Sequence, residues 1–168
     1  MTRLPLSLPM AQAFRAGLKT QTRRVSPPRF NVGDVVAIAE PCTISLCQAP
    51  GCVPYLHCEY SAGGAVTLDG DAEEIARCAT MPTVINRTPR SARFMPGWAE
   101  RSRIKITEIR EEALGDITEA DAVREGFADR AAFLAYFASI DDRVPVDRLR
   151  TLADLTLPVW VVSFEVVT

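Results

Sequence analysis

Histidine is almost missing from this sequence: His57 is the only one among 168 residues. A two-histidine ribonuclease or a Ser-His-Asp hydrolase cannot be built in the core of one subunit from a lone histidine in an inserted segment. Any hydrolysis therefore has to lean on Lys, Thr, Glu and Arg. Long apolar runs are missing as well, and none approaches the length of a membrane span. The N-terminus lacks the succession of charged, apolar and small residues that makes a signal peptide. The expectation is a cytoplasmic protein with no membrane partner. There is no glycine-rich phosphate loop, internal repeat or low-complexity tract, and no cofactor is expected. The five cysteines are an odd number, which in a cytoplasmic chain reads as reduced thiols rather than a disulfide framework.

What is present suffices for one folded unit. Hydrophobic residues make up 48% of the sequence, enough for a core in a single domain over residues 1–168. The formal net charge is only -2, but the charges are segregated. Arg15, Lys19, Arg23, Arg24 and Arg29 fall in one stretch without an acid, and Arg87, Arg90, Arg93, Arg101 and Arg103 are opposed within theirs only by Glu100. Acids gather between Glu108 and Asp142. A surface polarised in this way can bind an anion despite a slightly acidic total.

Leu4 to Leu8 reads as a short strand, Pro9 suits the first turn of a helix running to about Ala16, and Gly17 is its cap. Lys19-Thr20-Gln21-Thr22-Arg23-Arg24 then sets an ammonium, a guanidinium pair and two hydroxyls side by side. Such a set can bind phosphate or a polar base edge, and a Lys beside a Thr can run nucleophilic chemistry. Asn31-Val32-Gly33-Asp34 is turn chemistry feeding a buried strand, Val35 to Ala39. From about 41 to 93 the regularity fades, and this segment, which holds every cysteine and His57, reads as an irregular Cys-rich insertion. Regular structure resumes in a half-buried strand from Arg103 to Ile109. Thr118 and Asp121 mark a helix start, with Ala120 to Glu125 helical until Gly126. Ala131 to Ile140 is a further helix, and Val159 to Val167 a terminal strand. Alternating strands, few helices and no repeating strand-helix period predict an α+β fold.

Several short motifs occur in order: Pro9-Met10, Gly17, the basic hexapeptide, Gly33-Asp34, Met95-Pro96, Trp98-Ala99, Ser102-Arg103-Ile104, Asp116 to Ala122, Glu125-Gly126, Trp160 and Phe164-Glu165. Together they resemble the ASCH domain, and more narrowly the ASCH-type proteins of bacteriophages and prophages, over nearly the whole chain outside the insertion. The resemblance implies a PUA-like fold, a small twisted β-barrel with flanking helices, in a superfamily associated with RNA and modified nucleosides. One branch is similar to amidohydrolases that remove the acetyl group of N4-acetylcytidine through a Lys, a Thr three residues later and a Glu near the start of a later helix. Those positions correspond here to Lys19, Thr22 and Glu125, and Arg24 falls where that branch also has an Arg.

Taken on their own, the residues leave alternatives open. A desolvated Lys19 can take the Thr22 hydroxyl proton and make it a nucleophile toward an amide carbonyl, while the same side chains also suit a solvated anion-binding rim. Arg23 or Arg24 can stabilise an oxyanion. Glu125 can pass a proton to a leaving amine, although it shares a helix face with Asp121, and charged faces are ordinarily solvated. Trp98 either stacks on a base or closes the core. Thr20, Arg23, Arg24, Trp98 and Arg103 form the expected substrate-binding set, for RNA or a modified nucleoside. Cys42, Cys47, Cys52 and Cys58, with His57 beside the last, lack the close paired spacing of zinc knuckles, and no metal site is assigned. Two other functions stand beside hydrolysis: a noncatalytic RNA-binding module, and a phage accessory or assembly protein acting through protein partners.

Overall fold

The computed structural model describes residues 2–47, 55–69, 75, 86–140 and 156–167. They form an α+β arrangement with two sheets. The first is five-stranded, in the order β1 (Arg3–Pro5), β3 (Val35–Ala39), β8 (Arg103–Ala113), β9 (Pro158–Val167), β2 (Gln21–Arg24). β1 runs parallel to β3 and every other pairing is antiparallel. The second sheet has the order β6 (Ala65–Asp69), β5 (Tyr55–Tyr60), β4 (Cys42–Cys47), β7 (Asn86–Arg90).

The expected small barrel is not closed among the described residues, because the first sheet ends at β1 and β2. β1 is three residues long, too short to carry a ladder of its own beyond its pairing with β3. Across the gap Arg24 Nη2 donates to the Pro5 carbonyl at 3.0 Å, a side-chain link where a barrel would have strand pairing.

The expected irregular insertion also needs correction. Its described part is an antiparallel sheet whose inward face alternates Cys42 and Ile44 on β4 with Leu56, Cys58 and Tyr60 on β5. Cysteine serves there as a small apolar residue, which hides the period from a reading that treats it as a loop marker. His57 lies on the opposite face of β5 from Cys58, since neighbours in a strand point apart, so the two do not converge on one metal. Cys52 and Cys78 lie outside the described residues.

Helix α1 (Leu8–Arg15) lays Met10, Ala11 and Phe14 onto Leu4, Ile38, Ile104 and Phe164 of the first sheet. Helices α2 (Glu119–Arg124) and α3 (Arg130–Ile140) close a further core around Leu114, Ala122, Phe133, Phe137 and Val159. Thr118 starts α2 with a reciprocal capping box: its hydroxyl accepts from the Asp121 amide at 3.1 Å, and its own amide donates to the Asp121 carboxylate at 3.3 Å.

α1 and α2 end alike. Leu18 N–H reaches the Ala13 carbonyl and Gly17 N–H the Phe14 carbonyl, both at 3.0 Å; Phe127 and Gly126 do the same to Ala122 and Val123 at 3.0 and 2.9 Å. This double bond pattern needs a left-handed residue after the cap, supplied by Gly17 at φ 73° and Gly126 at φ 93°. The two helix ends meet tightly, for a Cβ on Gly126 would stand 2.5 Å from the Ala13 Cβ. Gly126→Ala is therefore expected to destabilise the fold by about 2–4 kcal/mol, from left-handed strain plus overpacking. Thermal unfolding checks it, and an unchanged midpoint would show that the helix ends can separate.

Candidate functional site

The segment after Gly17 is held from two sides: Thr20 N–H donates to the Arg124 carbonyl at 2.8 Å, and Phe164 N–H donates to the Thr20 carbonyl at 3.0 Å. β2 then pairs with β9 in the register Thr22 opposite Val162 and Arg24 opposite Trp160. Lys19 is thereby turned inward beneath the end of α2, where Glu125 is the capping residue.

Lys19 and Glu125 are each 2% exposed, which makes them a buried ion pair rather than a surface one. Lys19 Nζ donates to Glu125 Oε2 at 2.7 Å, to the Glu125 carbonyl at 3.0 Å and to the Gln21 carbonyl at 2.8 Å. Three acceptors match the three protons of an ammonium. Burial pushes the Lys19 pKa below its ordinary value; the Glu125 carboxylate opposes that shift, and Arg24 and Arg23 add to it.

Arg23 ties the pair to a second acid. Its Nη1 donates to Glu125 Oε1 at 3.2 Å and to Gln21 Oε1 at 3.1 Å, and its Nε donates to Glu112 Oε1 at 2.8 Å. Nη2 stands 2.7 Å from the same Glu112 oxygen, without the alignment of a hydrogen bond, and 3.5 Å from Asp121. The guanidinium lies 5.8 Å from the Phe133 ring centroid. Burial acts to raise the Asp121 pKa, but the Thr118 bonds and the charge of Arg23 outweigh it and hold it below the ordinary carboxylate value.

These side chains open onto a cavity of about 520 Å³ whose walls include Lys19, Thr22, Arg23, Arg24 and Glu125. Alternation along β2 sends Gln21 and Arg23 to one face and Thr22 and Arg24 to the other, so the cavity wraps around the free edge of this outer strand. Among the described residues no hydrogen bond engages the Thr22 hydroxyl. Lys19 does not bond to it, because its donors go to Gln21 and Glu125. Among the described residues Arg24 Nε is also buried without a partner. Burial lowers the Arg24 pKa, with Glu125 opposing and Arg93 reinforcing the shift. Arg29 and Arg93 reach the same cavity, and Phe30, Phe127 and Tyr136 give it apolar wall.

Comparisons with protein-family models, with curated proteins and with solved structures find no match to this chain.

The structure thus gathers Lys19, Thr22, Arg23, Arg24 and Glu125 from the residues expected at the site. It leaves three apart. Thr20 is exposed and contributes main-chain bonds. Trp98 packs against the core of the second sheet, its indole nitrogen buried without a partner among the described residues. Arg103 is exposed at the start of β8. Glu125 stands at the end of α2, not near a helix start, and that placement buries it under Lys19. Gln21, Glu112 and Phe133 were not singled out; the one available signal was that Arg23, once buried, needs a carboxylate partner.

Proposed function

We propose that this chain is a PUA-like protein of the ASCH type that recognises RNA or a modified nucleoside and hydrolyses the amide of an N4-acetylcytidine-like substrate. The observation that carries this reading is the buried Lys19–Glu125 bond of 2.7 Å in the wall of a cavity that also holds the unengaged Thr22 hydroxyl. The lowered Lys19 pKa raises the share of free amine near neutral pH, and a free amine carries the lone pair a base needs.

In this mechanism the bound substrate draws Thr22 and Lys19 together. Lys19 takes the hydroxyl proton as Thr22 Oγ1 bonds to the acetyl carbon, and the carbonyl oxygen becomes an oxyanion stabilised by the free Nε–H of Arg24. The proton passes from Lys19 to Glu125 and on to N4 of the cytosine as the C–N bond breaks. Cytidine leaves, and water activated by Lys19 releases acetate from Thr22. The aromatic wall of Phe30, Phe127 and Tyr136 suits a base ring.

The experiment is chromatographic turnover of N4-acetylcytidine by wild type beside Thr22→Val, which keeps shape and removes the hydroxyl. Cytidine from wild type and about a thousandfold less from the variant is the expected result. Equal rates would remove Thr22 as nucleophile, and binding without turnover by folded wild type would favour a noncatalytic module.

A further inference from the structure

The charges around the cavity do not balance, and the imbalance is local. Three of the cations that line the cavity are matched by carboxylates: Arg3 by Glu100, Lys19 by Glu125 and Arg23 by Glu112. Arg24, Arg29 and Arg93 also line the cavity, and no carboxylate among the described residues pairs with any of them. Arg24 is half-buried, and among the described residues it has one acceptor, the Pro5 carbonyl, and a buried Nε without a partner. The Glu125 carboxylate and the Arg93 guanidinium are the charges that act on it. Like charges gathered around one cavity repel, and an anion that enters relieves the repulsion.

A bare nucleoside is neutral and leaves the three guanidinium groups uncompensated. We propose that Arg29 and Arg93, with Arg24 beside them, form a phosphate subsite, so that the ligand of this cavity is a phosphorylated nucleotide rather than a free nucleoside. This rests on the cavity being the substrate site proposed above. A phosphate monoester brings close to two negative charges at neutral pH and several acceptor oxygens, and guanidinium groups match it in geometry as well as in charge. A volume of about 520 Å³ is in the range of sites that enclose one small molecule, which fits a mononucleotide or the end of a strand. Arg29 and Arg93 are both exposed, so a phosphate held by them keeps part of its hydration.

Calorimetric titration of the full chain with cytidine, cytidine 5′-monophosphate, inorganic phosphate and a hexanucleotide of single-stranded RNA tests this. The variants are Arg93→Gln and the double change Arg29→Gln with Arg93→Gln, both on exposed side chains, with circular dichroism to verify folding. Wild type is expected to bind the monophosphate at least about tenfold more tightly than cytidine, as charge-assisted bonds to phosphate imply, and the double variant to lose that preference. Equal binding of the two in wild type, survival of the preference in the double variant, or no binding of any phosphate-bearing probe would overturn the proposal. RNA binding tighter or weaker than the monophosphate, with the same arginine dependence, supports the subsite and tells strand phosphate from free nucleotide. An intact phosphate preference with no amide turnover would sink the hydrolase reading and leave this one standing. Turnover with equal KM for N4-acetylcytidine and its 5′-phosphate would do the reverse.

Discussion

Glu125→Gln is expected to lower kcat/KM for N4-acetylcytidine by about a hundredfold or more, within the range that general acid-base groups contribute, and to move the rising limb of the pH profile to lower pH. The two effects have one source. The carboxylate accepts the Lys19 proton at 2.7 Å and is the main influence holding the Lys19 pKa up against burial. The amide of Gln keeps the shape but removes the charge, so the relay is broken while the Lys19 pKa falls further. Rate carried by the free amine rises as pH passes through that pKa, so a lower pKa shifts the limb toward acid. The shift of the limb reports the Glu125 charge beside Lys19, and the loss of rate in fully folded protein reports the relay. Lys19→Ala should abolish the limb along with turnover. If Glu125→Gln retains both the rate and the profile of wild type, the relay is not there.

The largest stability effect is expected outside the cavity lining, at Glu40. Its side chain is fully buried between the two sheets. Arg101 grips it with two bonds, Nε to Oε1 at 3.0 Å and Nη2 to Oε2 at 2.8 Å, and Arg15 donates to both oxygens from the end of α1. Arg101 in turn stacks 3.6 Å from the Tyr60 ring centroid and donates to the Gly63 carbonyl at 2.8 Å, so one carboxylate fastens α1, the segment leading into β8 and the second sheet together. Glu40→Ala should cost about 3–5 kcal/mol, because it strands two partly buried guanidinium groups. Urea unfolding reads that loss, and a change below about 1 kcal/mol would mean that water replaces the carboxylate freely.

The same residue sets an acid dependence. Burial alone would raise the Glu40 pKa, but the bonds from Arg101 and Arg15 outweigh it and hold the folded value below the unfolded one. The contribution is complete above the unfolded carboxylate value, roughly pH 4.3, and is lost as pH falls through the lower folded value. Wild type should therefore weaken on acidification below about pH 4 more steeply than Glu40→Gln, which has no proton to gain.

Much of the fold was legible because local chemistry agreed with the tertiary outcome. Pro9 and Gly17 bracket α1, Thr118 and Gly126 bracket α2, and the alternation of Ile104 and Ile106 on β8 survives in the burial pattern. β8 runs on to Ala113, past the expected end, because β9 stays long enough to pair with it through a register shift between Ile106 and Glu108. The second sheet was hidden since cysteines took the places of its aliphatic residues. Within the site, Lys19, Thr22 and Arg24 stood out in one hexapeptide. The burial of Glu125 did not, as its spacing from Asp121 reads as a wet helix face. Only the approach of the Lys19 segment to the end of α2 covers that face, and spacing along one helix carries no record of what packs on it.

The ion pair at the centre of the site joins residues 106 positions apart. Closing such a long loop is entropically costly, and contacts of high sequence separation are rewarded late, after the strands that span the gap have docked. β9 pairs with both β2 and β8, so it bridges the strand that follows Lys19 and the strand that leads toward Glu125. During refolding, recovery of the cavity's function should lag behind the appearance of helix and sheet. The site then doubles as a reporter of the last step in assembling the first sheet.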